Sequence, residues 1–291
     1  MTYIGDFSKR LRKRSNVGVT IYLVLNTMVV IFLFGGFMSI EGFVFGTLVY
    51  LFSLSVALSP AGEWILRLQQ GCKQIVRQEH KDRLMPLFEE VYDKAKELDP
   101  NLPDDIQLFM SKDKTPNAFA TGRKTICVTK GFLDYSDEQI KATLAHEFGH
   151  LSNKDTDLVL IIAVGNMIVT GIFILYRIFF VVAGIMASIM SRSISTAIIT
   201  FFVDVLLVAM MWIWTKIGIA LVMHSSRQNE YLADEFAYNC GYGNDLTYVL
   251  DSFNDFETGE TKGLWANLVS SHPDPDDRIA NLQKLSQGTS A

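Results

Sequence analysis

Cysteine is scarce in this chain. Its 291 residues include three, Cys72, Cys127 and Cys240. Their odd number and the absence of any C-x-x-C spacing argue against a disulfide framework and suit a reducing compartment, where they are expected as buried apolar fillers. Basic charge is not in excess either. Against 26 Lys and Arg stand 31 Asp and Glu, a net charge of −5, which gives no reason to expect a nucleic-acid partner. Charge of both signs is thin, at 20% of residues against 49% hydrophobic, and the mean hydropathy is +0.22. An ordinary soluble protein is therefore excluded, and the apolar excess gathers in a few runs, as in a membrane protein with a soluble part. A cleavable signal peptide is not expected, because the first apolar run is too long for an h-region and lacks a persuasive cleavage site.

The runs set the topology. Lys9, Arg10, Arg12, Lys13 and Arg14 precede the first, Val17 to Ser39, whose most polar residue is Asn26. A turn near Glu41 and Gly42 leads to the second, Phe43 to Leu58, which ends at Ser59-Pro60. The positive-inside rule places the basic N-terminus in the cytoplasm, and the second span returns the chain there, where Arg67, Lys73, Arg77, Lys81 and Arg83 follow. Two longer stretches, Leu158 to Met190 and Ile194 to Met223, meet at Ser191-Arg192-Ser193. The expectation is four transmembrane helices in four parts: 1–60 with the first two spans, 61–156 soluble, 157–223 with the last two spans, and 224–291 soluble. Both soluble parts then face the cytoplasm. Arg177 and Asp204 fall inside spans, each about 30 Å from the cytoplasmic end at 1.5 Å per residue. Either they pair or share one wet patch, or they are two independent interfacial charges.

In the soluble parts, 61–98 reads as amphipathic helix broken or kinked at Pro86. Three short strands are expected at Ile106–Met110, Asn117–Thr121 and Thr125–Thr129. A helix at Asp245–Phe253 precedes a polar loop with Gly259 and Gly263, which is a gate or a plain connector. Asp274-Pro275 opens a last helix to about Leu285.

The chain is organised around Ser136 to Ser152. Ser136 is an N-cap, Asp137 and Glu138 favour the positive helix end, and Gln139 completes a capping box. Within this helix lies His146-Glu147-Phe148-Gly149-His150. Histidines four apart project from one helix face and can bind one metal ion, with Glu147 beside them to take a proton from an attacking water. Imidazole plus carboxylate with one open position prefers zinc. A helical glycine costs about 1 kcal/mol relative to alanine, so Gly149 implies close backbone approach. The third ligand is expected from Ser225 to Ala237. If this is helical, Glu230 and Asp234 share a face with Arg227 one turn earlier. Glu230 is the best candidate ligand, and Asp234 can accept from the free ring N–H of His146. His224, six residues before Glu230, points elsewhere.

These residues resemble the HtpX-like membrane metallopeptidases, relatives of the CAAX prenyl protease. The H-E-F-G-H motif resembles their zinc signature, Ser226-Arg227-Gln228-Asn229-Glu230-Tyr231-Leu232-Ala233-Asp234 their S-R-x-x-E-x-x-A-D segment, Pro116 to Gly122 their P-N-A-F-A-T-G strand, and Ser271-His272-Pro273 their late H-P motif. The likeness covers nearly the whole chain; Ser152, where many zinc peptidases are apolar, is a minor departure. It implies a zincin-like α+β domain, mainly helical with a small sheet, fused to the spans, and one Zn2+ held by His146, His150 and Glu230. It further implies Glu147 as general base and His272 at the oxyanion. Asn117, Ala118, Phe119 and Ala120 would bind substrate backbone as an added strand. An oxyanion donor, His272 or Arg227, is worth on the order of 2.7–4 kcal/mol in such sites. The implied role is hydrolysis of misfolded or damaged membrane proteins in a bacterial inner membrane. The rivals are a processing protease for lipidated peptides and a membrane scaffold with structural zinc.

Overall fold

The computed structural model describes residues 17–34, 38–254 and 274–288, the side chains of 166, 168, 217–227, 253 and 254 aside. Two apolar helices open it, α1 (Val17–Leu33) and α2 (Ile40–Ala57). Gly46 lets them touch, since a Cβ there would lie 2.8 Å from the Ile31 Cα. Ser39 caps α2 by accepting the Gly42 N–H at 3.0 Å. Ser59 caps the next helix, α3 (Pro60–Gln69), with Pro60 at its first position, where a missing N–H costs nothing.

The helix expected over 61–98 is broken, but not at Pro86. α3 stops at Gln69, and Gly71 turns the chain at φ +67°, a conformation glycine adopts without a Cβ clash. Lys73–Gln74 then forms strand β1 before α4 (Gln78–Leu98) begins. Pro86 neither ends nor interrupts α4, whose apolar face of Leu84, Phe88, Val91 and Ala95 is buried in the core.

The three expected strands appear within a residue of their anticipated bounds: β2 (Gln107–Ser111), β3 (Ala118–Thr121) and β4 (Thr125–Thr129). The sheet order is β1-β2-β4-β3, with β2 and β4 parallel and the other pairs antiparallel. In this order β4 is inside and wholly buried, while β3 is an edge strand in register Ala118 to Val128 and Ala120 to Ile126. Helix α5 (Asp137–Asn153) follows, opened by the anticipated capping box: Ser136 Oγ accepts the Gln139 N–H at 3.3 Å, and Gln139 Oε1 accepts the Ser136 N–H at 3.0 Å. Phe148 of α5 is fully buried, stacked on Tyr92 at 5.2 Å and tilted against Phe88 at 5.5 Å.

Past α5 the chain re-enters apolar territory. The short α6 (Thr156–Leu160) passes through a π turn (Ile161–Gly165) into α7 (Asn166–Ser191). Helix α8 (Ile194–Ala237) then runs 44 residues without interruption. Among the described residues, three stretches are long and apolar enough to cross a membrane: Ile40–Ala57, Thr156–Ser191 and Ile194–Lys216. α1 is apolar but has 17 residues, about 26 Å at 1.5 Å per residue. Some polar groups of these helices pair between elements. Trp214 Nε1 donates to Asn26 Oδ1 at 3.3 Å, and Ser53 Oγ donates to the Gly165 carbonyl of the π turn at 3.4 Å. Arg177 grips both oxygens of Asp204, at 2.6 and 2.7 Å, so of the alternatives for these residues the pair is the one observed. Among the described residues two further helices follow, α9 (Gly243–Asn254) and α10 (Pro275–Gly288). They contribute Leu246, Leu250 and Leu282 to the core cluster that also holds Leu84, Val128 and Leu144.

Candidate metal centre

Three donors converge where α5 crosses α8. His146 and His150 lie one turn apart on α5, and their Nε2 atoms are 3.2 Å apart. Glu230 comes from α8, its two oxygens 3.5 Å from His146 Nε2 and 3.5 Å from His150 Nε2. Nitrogen or oxygen donors about 2.0–2.1 Å from a tetrahedral zinc stand roughly 3.3–3.4 Å from each other. Each imidazole nitrogen has a Glu230 oxygen close to that distance, and one donor atom from each of the three residues lies within 4.8 Å of the others, so the donor set fits one such ion. All three side chains are buried or nearly so.

Gly149 explains how two helices come this close. A Cβ at that position would lie 2.8 Å from the Ala233 Cα and 3.0 Å from its carbonyl oxygen. Glycine facing alanine therefore lets the α5 and α8 backbones touch, which carries Glu230 in α8 within reach of the imidazoles. The cost of a helical glycine is offset by this contact.

Each imidazole is held from behind. His146 Nδ1 lies 2.9 Å from Asp234 Oδ1, the contact anticipated from the spacing. His150 Nδ1 lies 3.3 Å from Asp155 Oδ2, a contact that no motif or spacing in the sequence signals. Such partners fix the tautomer and leave Nε2 facing the ion. Glu147 is oriented from the sheet: its Oε2 accepts the Ala120 N–H of β3 at 2.6 Å. Successive residues of a strand point their backbone groups to opposite sides. Ala120 and Ala118 thus face the site, while Asn117, Phe119 and Thr121 face β4.

The largest addition to the anticipated set is Arg278, from α10. Its guanidinium forks onto Asp234 at 2.6 and 2.8 Å and reaches Glu230 Oε2 at 3.4 Å. Its only sequence signal was being the lone cation among the acidic residues opening the last helix. Of the two candidate oxyanion donors, His272 lies outside the described residues and the side chain of Arg227 is not described. The 256–270 loop also falls outside.

The field here favours cations. Burial disfavours a charged His146, yet Asp234 and Glu230 outweigh it and raise its pKa to about 10. His150 is also raised, burial being overcome by Glu230 and Asp155. For Asp234 burial again opposes charge, but the Arg278 fork and His146 hold its pKa down to about 2. Metal binding in such a site displaces protons.

Apolar helices of membrane length joined to two facing histidines, a neighbouring glutamate and a carboxylate from a second helix define a membrane metallopeptidase. The chain belongs to peptidase family M48, whose sequence profile it matches over residues 81–286. It is 28% identical over 204 residues to a protease HtpX homolog of Dictyoglomus thermophilum, an alignment covering 62% of this chain and 64% of that protein. With protease HtpX of Pseudomonas fluorescens it shares 26% identity over 303 aligned positions, 91% of this chain and 96% of the relative. The crystal structure of S. mikatae Ste24p aligns with 96% of this chain and 65% of its own, at 18% identity and a TM-score of 0.42, a likeness too loose to carry an argument.

Proposed function

We propose that this metallopeptidase is a zinc-dependent endopeptidase of the bacterial inner membrane. It acts on misfolded or damaged membrane proteins from the cytoplasmic side. The observation that carries the proposal is the convergence of His146, His150 and Glu230 at zinc-donor spacing, with Glu147 held beside them by the edge strand. When bound, zinc supplies Lewis acidity that polarises a carbonyl and acidifies water. Among the described residues this cluster has three protein donors, the pattern of a catalytic rather than a structural site.

The chain's own residues do the rest. Glu147 accepts a proton from the attacking water and delivers it to the leaving amine. Its orientation is set by the Ala120 N–H. Substrate backbone adds to the outer side of β3, where Ala118 faces the cleft, making the cleaved segment a further strand. His272 or Arg227 completes the oxyanion environment. Arg278 neutralises Asp234 and part of Glu230, which keeps the ligand carboxylate in place without competing for the ion.

The N-terminal cations before α1 support a cytoplasmic position for that end by the positive-inside rule. With α1 as a fourth span, both soluble parts lie on that side. α8 supports a site close to the membrane surface, because one unbroken helix carries both a membrane-length stretch and Glu230.

Glu147→Ala tests the chemistry. Zinc content should stay at one ion per chain while hydrolysis of a casein or membrane-protein substrate falls by about 10²-fold or more. Undiminished hydrolysis would remove Glu147 from its assigned role.

A further inference from the structure

The turn joining β3 to β4 is gripped from two sides by helices that belong to the membrane half of the molecule. Glu63, on α3 directly after the second apolar helix, is buried. It accepts the Arg123 N–H at 3.2 Å, the Lys124 N–H at 3.3 Å and the Thr125 hydroxyl at 2.5 Å. Gly122 sits at φ +62°, and the space its Cβ would take is filled by the Glu63 side chain. From the other side, α6 at the root of the third apolar helix supplies Asp157, which is fully buried. Arg123 forks onto it at 3.0 and 2.7 Å. Thr156, one residue earlier, donates its hydroxyl to the Gly122 carbonyl.

Two residues before Gly122 stands Ala120, whose N–H holds Glu147. The placement of that N–H thus follows from where the turn is held. Buried charges are costly and are tolerated when paired or hydrogen-bonded: Asp157 is paired with Arg123, and Glu63 is satisfied by two backbone N–H groups and a hydroxyl. A bidentate arginine fork adds geometric definition that a single bond lacks. A turn on the surface needs none of this to stay folded.

We propose that Glu63, Asp157 and Arg123 are positioning residues of the peptidase: they clamp the β3–β4 turn to the membrane helices and so set the register of the substrate strand and of Ala120 against Glu147. The proposal rests on the reading of β3 as the strand to which substrate adds. It makes the arrangement of the second and third membrane helices a determinant of turnover, because the third carries Asp157 and the second leads directly into the helix that carries Glu63.

The test uses the full-length, zinc-loaded protein in detergent and the Asp157→Asn variant, which keeps side-chain size but loses the charge of the fork. Amide hydrogen exchange should rise over residues 117–125 and stay unchanged over the zinc helix, residues 137–153, with one zinc retained per chain. On an extended peptide kcat/KM should fall on the order of 10²-fold, as for a misplacement near 1 Å. Arg123→Lys, which keeps charge without the fork, should fall between the two. Glu63→Gln loosens the other jaw and should reproduce the pattern, deciding the matter should Asp157→Asn not accumulate. Unchanged exchange over 117–125 would overturn the proposal, and so would exchange rising equally over the zinc helix, the mark of a merely stabilising pair. Exchange reads the clamp whether or not peptide is cleaved, whereas Glu147→Ala tests the peptidase reading, so the two failures are told apart.

Discussion

The Arg278–Asp234 and Arg177–Asp204 pairs are the same chemical object, two parallel N–H···O bonds at 2.6 to 2.8 Å, in two different halves of the molecule. At the metal centre the fork is one part of a larger assembly. Asp234 also meets His146 at 2.9 Å, and Arg278 also reaches Glu230 at 3.4 Å. In the membrane half the fork ties α7 to α8, and its two charges neutralise each other. The first pair connects a site to the fold, and the second staples two apolar helices. Identical bonds therefore predict different responses to the same substitution.

The largest effect is expected at the metal centre. Arg278→Ala leaves Asp234 charged, buried and without its fork, a change worth about 3–5 kcal/mol. Zinc should be lost and the denaturation midpoint should drop; a variant with full zinc and parental stability would make Arg278 dispensable. In the membrane half, Arg177→Leu strands a lone carboxylate on an apolar helix, which lowers stability. Adding Asp204→Leu should restore stability, because nothing charged is then left behind. Zinc content and turnover should match the parent in both membrane variants, and a loss of zinc would mean that the two halves are coupled through this pair. Gly149→Ala comes next. Its Cβ meets the Ala233 backbone, so α5 and α8 must separate, at about 1–3 kcal/mol for overpacking. Zinc should bind more weakly by competition with a chelator, and unchanged affinity would show that the close approach is not required.

The smallest effect is in pH. Raised in the metal-free fold to about 10, His146 stabilises that fold fully below its unfolded value near 6.5, and this stabilisation is lost as pH rises through about 10. The zinc-loaded fold lacks the slope, because the ion takes the proton's place. Melting temperatures of metal-free and loaded protein should therefore diverge from pH 7 toward 10. Calorimetry in buffers of different ionisation enthalpy should show protons released on zinc uptake near neutral pH.

What was legible in the sequence was what local pattern controls. The H-E-x-x-H spacing, the Ser136 capping box and the Glu230-to-Asp234 turn each depend on residues within one helix, and periodicity fixes which face they share. The apolar runs and three of the four strands were legible for the same reason. β1 was not, because two exposed polar residues carry no strand pattern, and only the break at Gly71 frees them to pair with β2. Pro86 misled because the penalty for a helical proline is local, while the buried face of Leu84, Phe88 and Val91 is tertiary. Asp155, Arg278 and the Glu63 contacts escaped because their partners are set by chain crossings that spacing does not encode. Asp155 reaches back to His150 only because Lys154 takes a left-handed turn at φ 58°. Ser152, a departure from the apolar pattern, is explained by its hydroxyl donating to Asp99 Oδ2 at 2.6 Å at the end of α4.

The central claim is that two histidines of one helix and a glutamate from a helix continuous with a membrane-length stretch hold a single zinc. Zinc X-ray absorption on the loaded, full-length protein tests it most directly. The expected spectrum shows nitrogen and oxygen neighbours only, at about 2.0–2.2 Å, with outer-shell scattering from two imidazoles. It should change in Glu230→Gln. A sulfur shell near 2.3 Å, or a spectrum indifferent to Glu230→Gln, would contradict it.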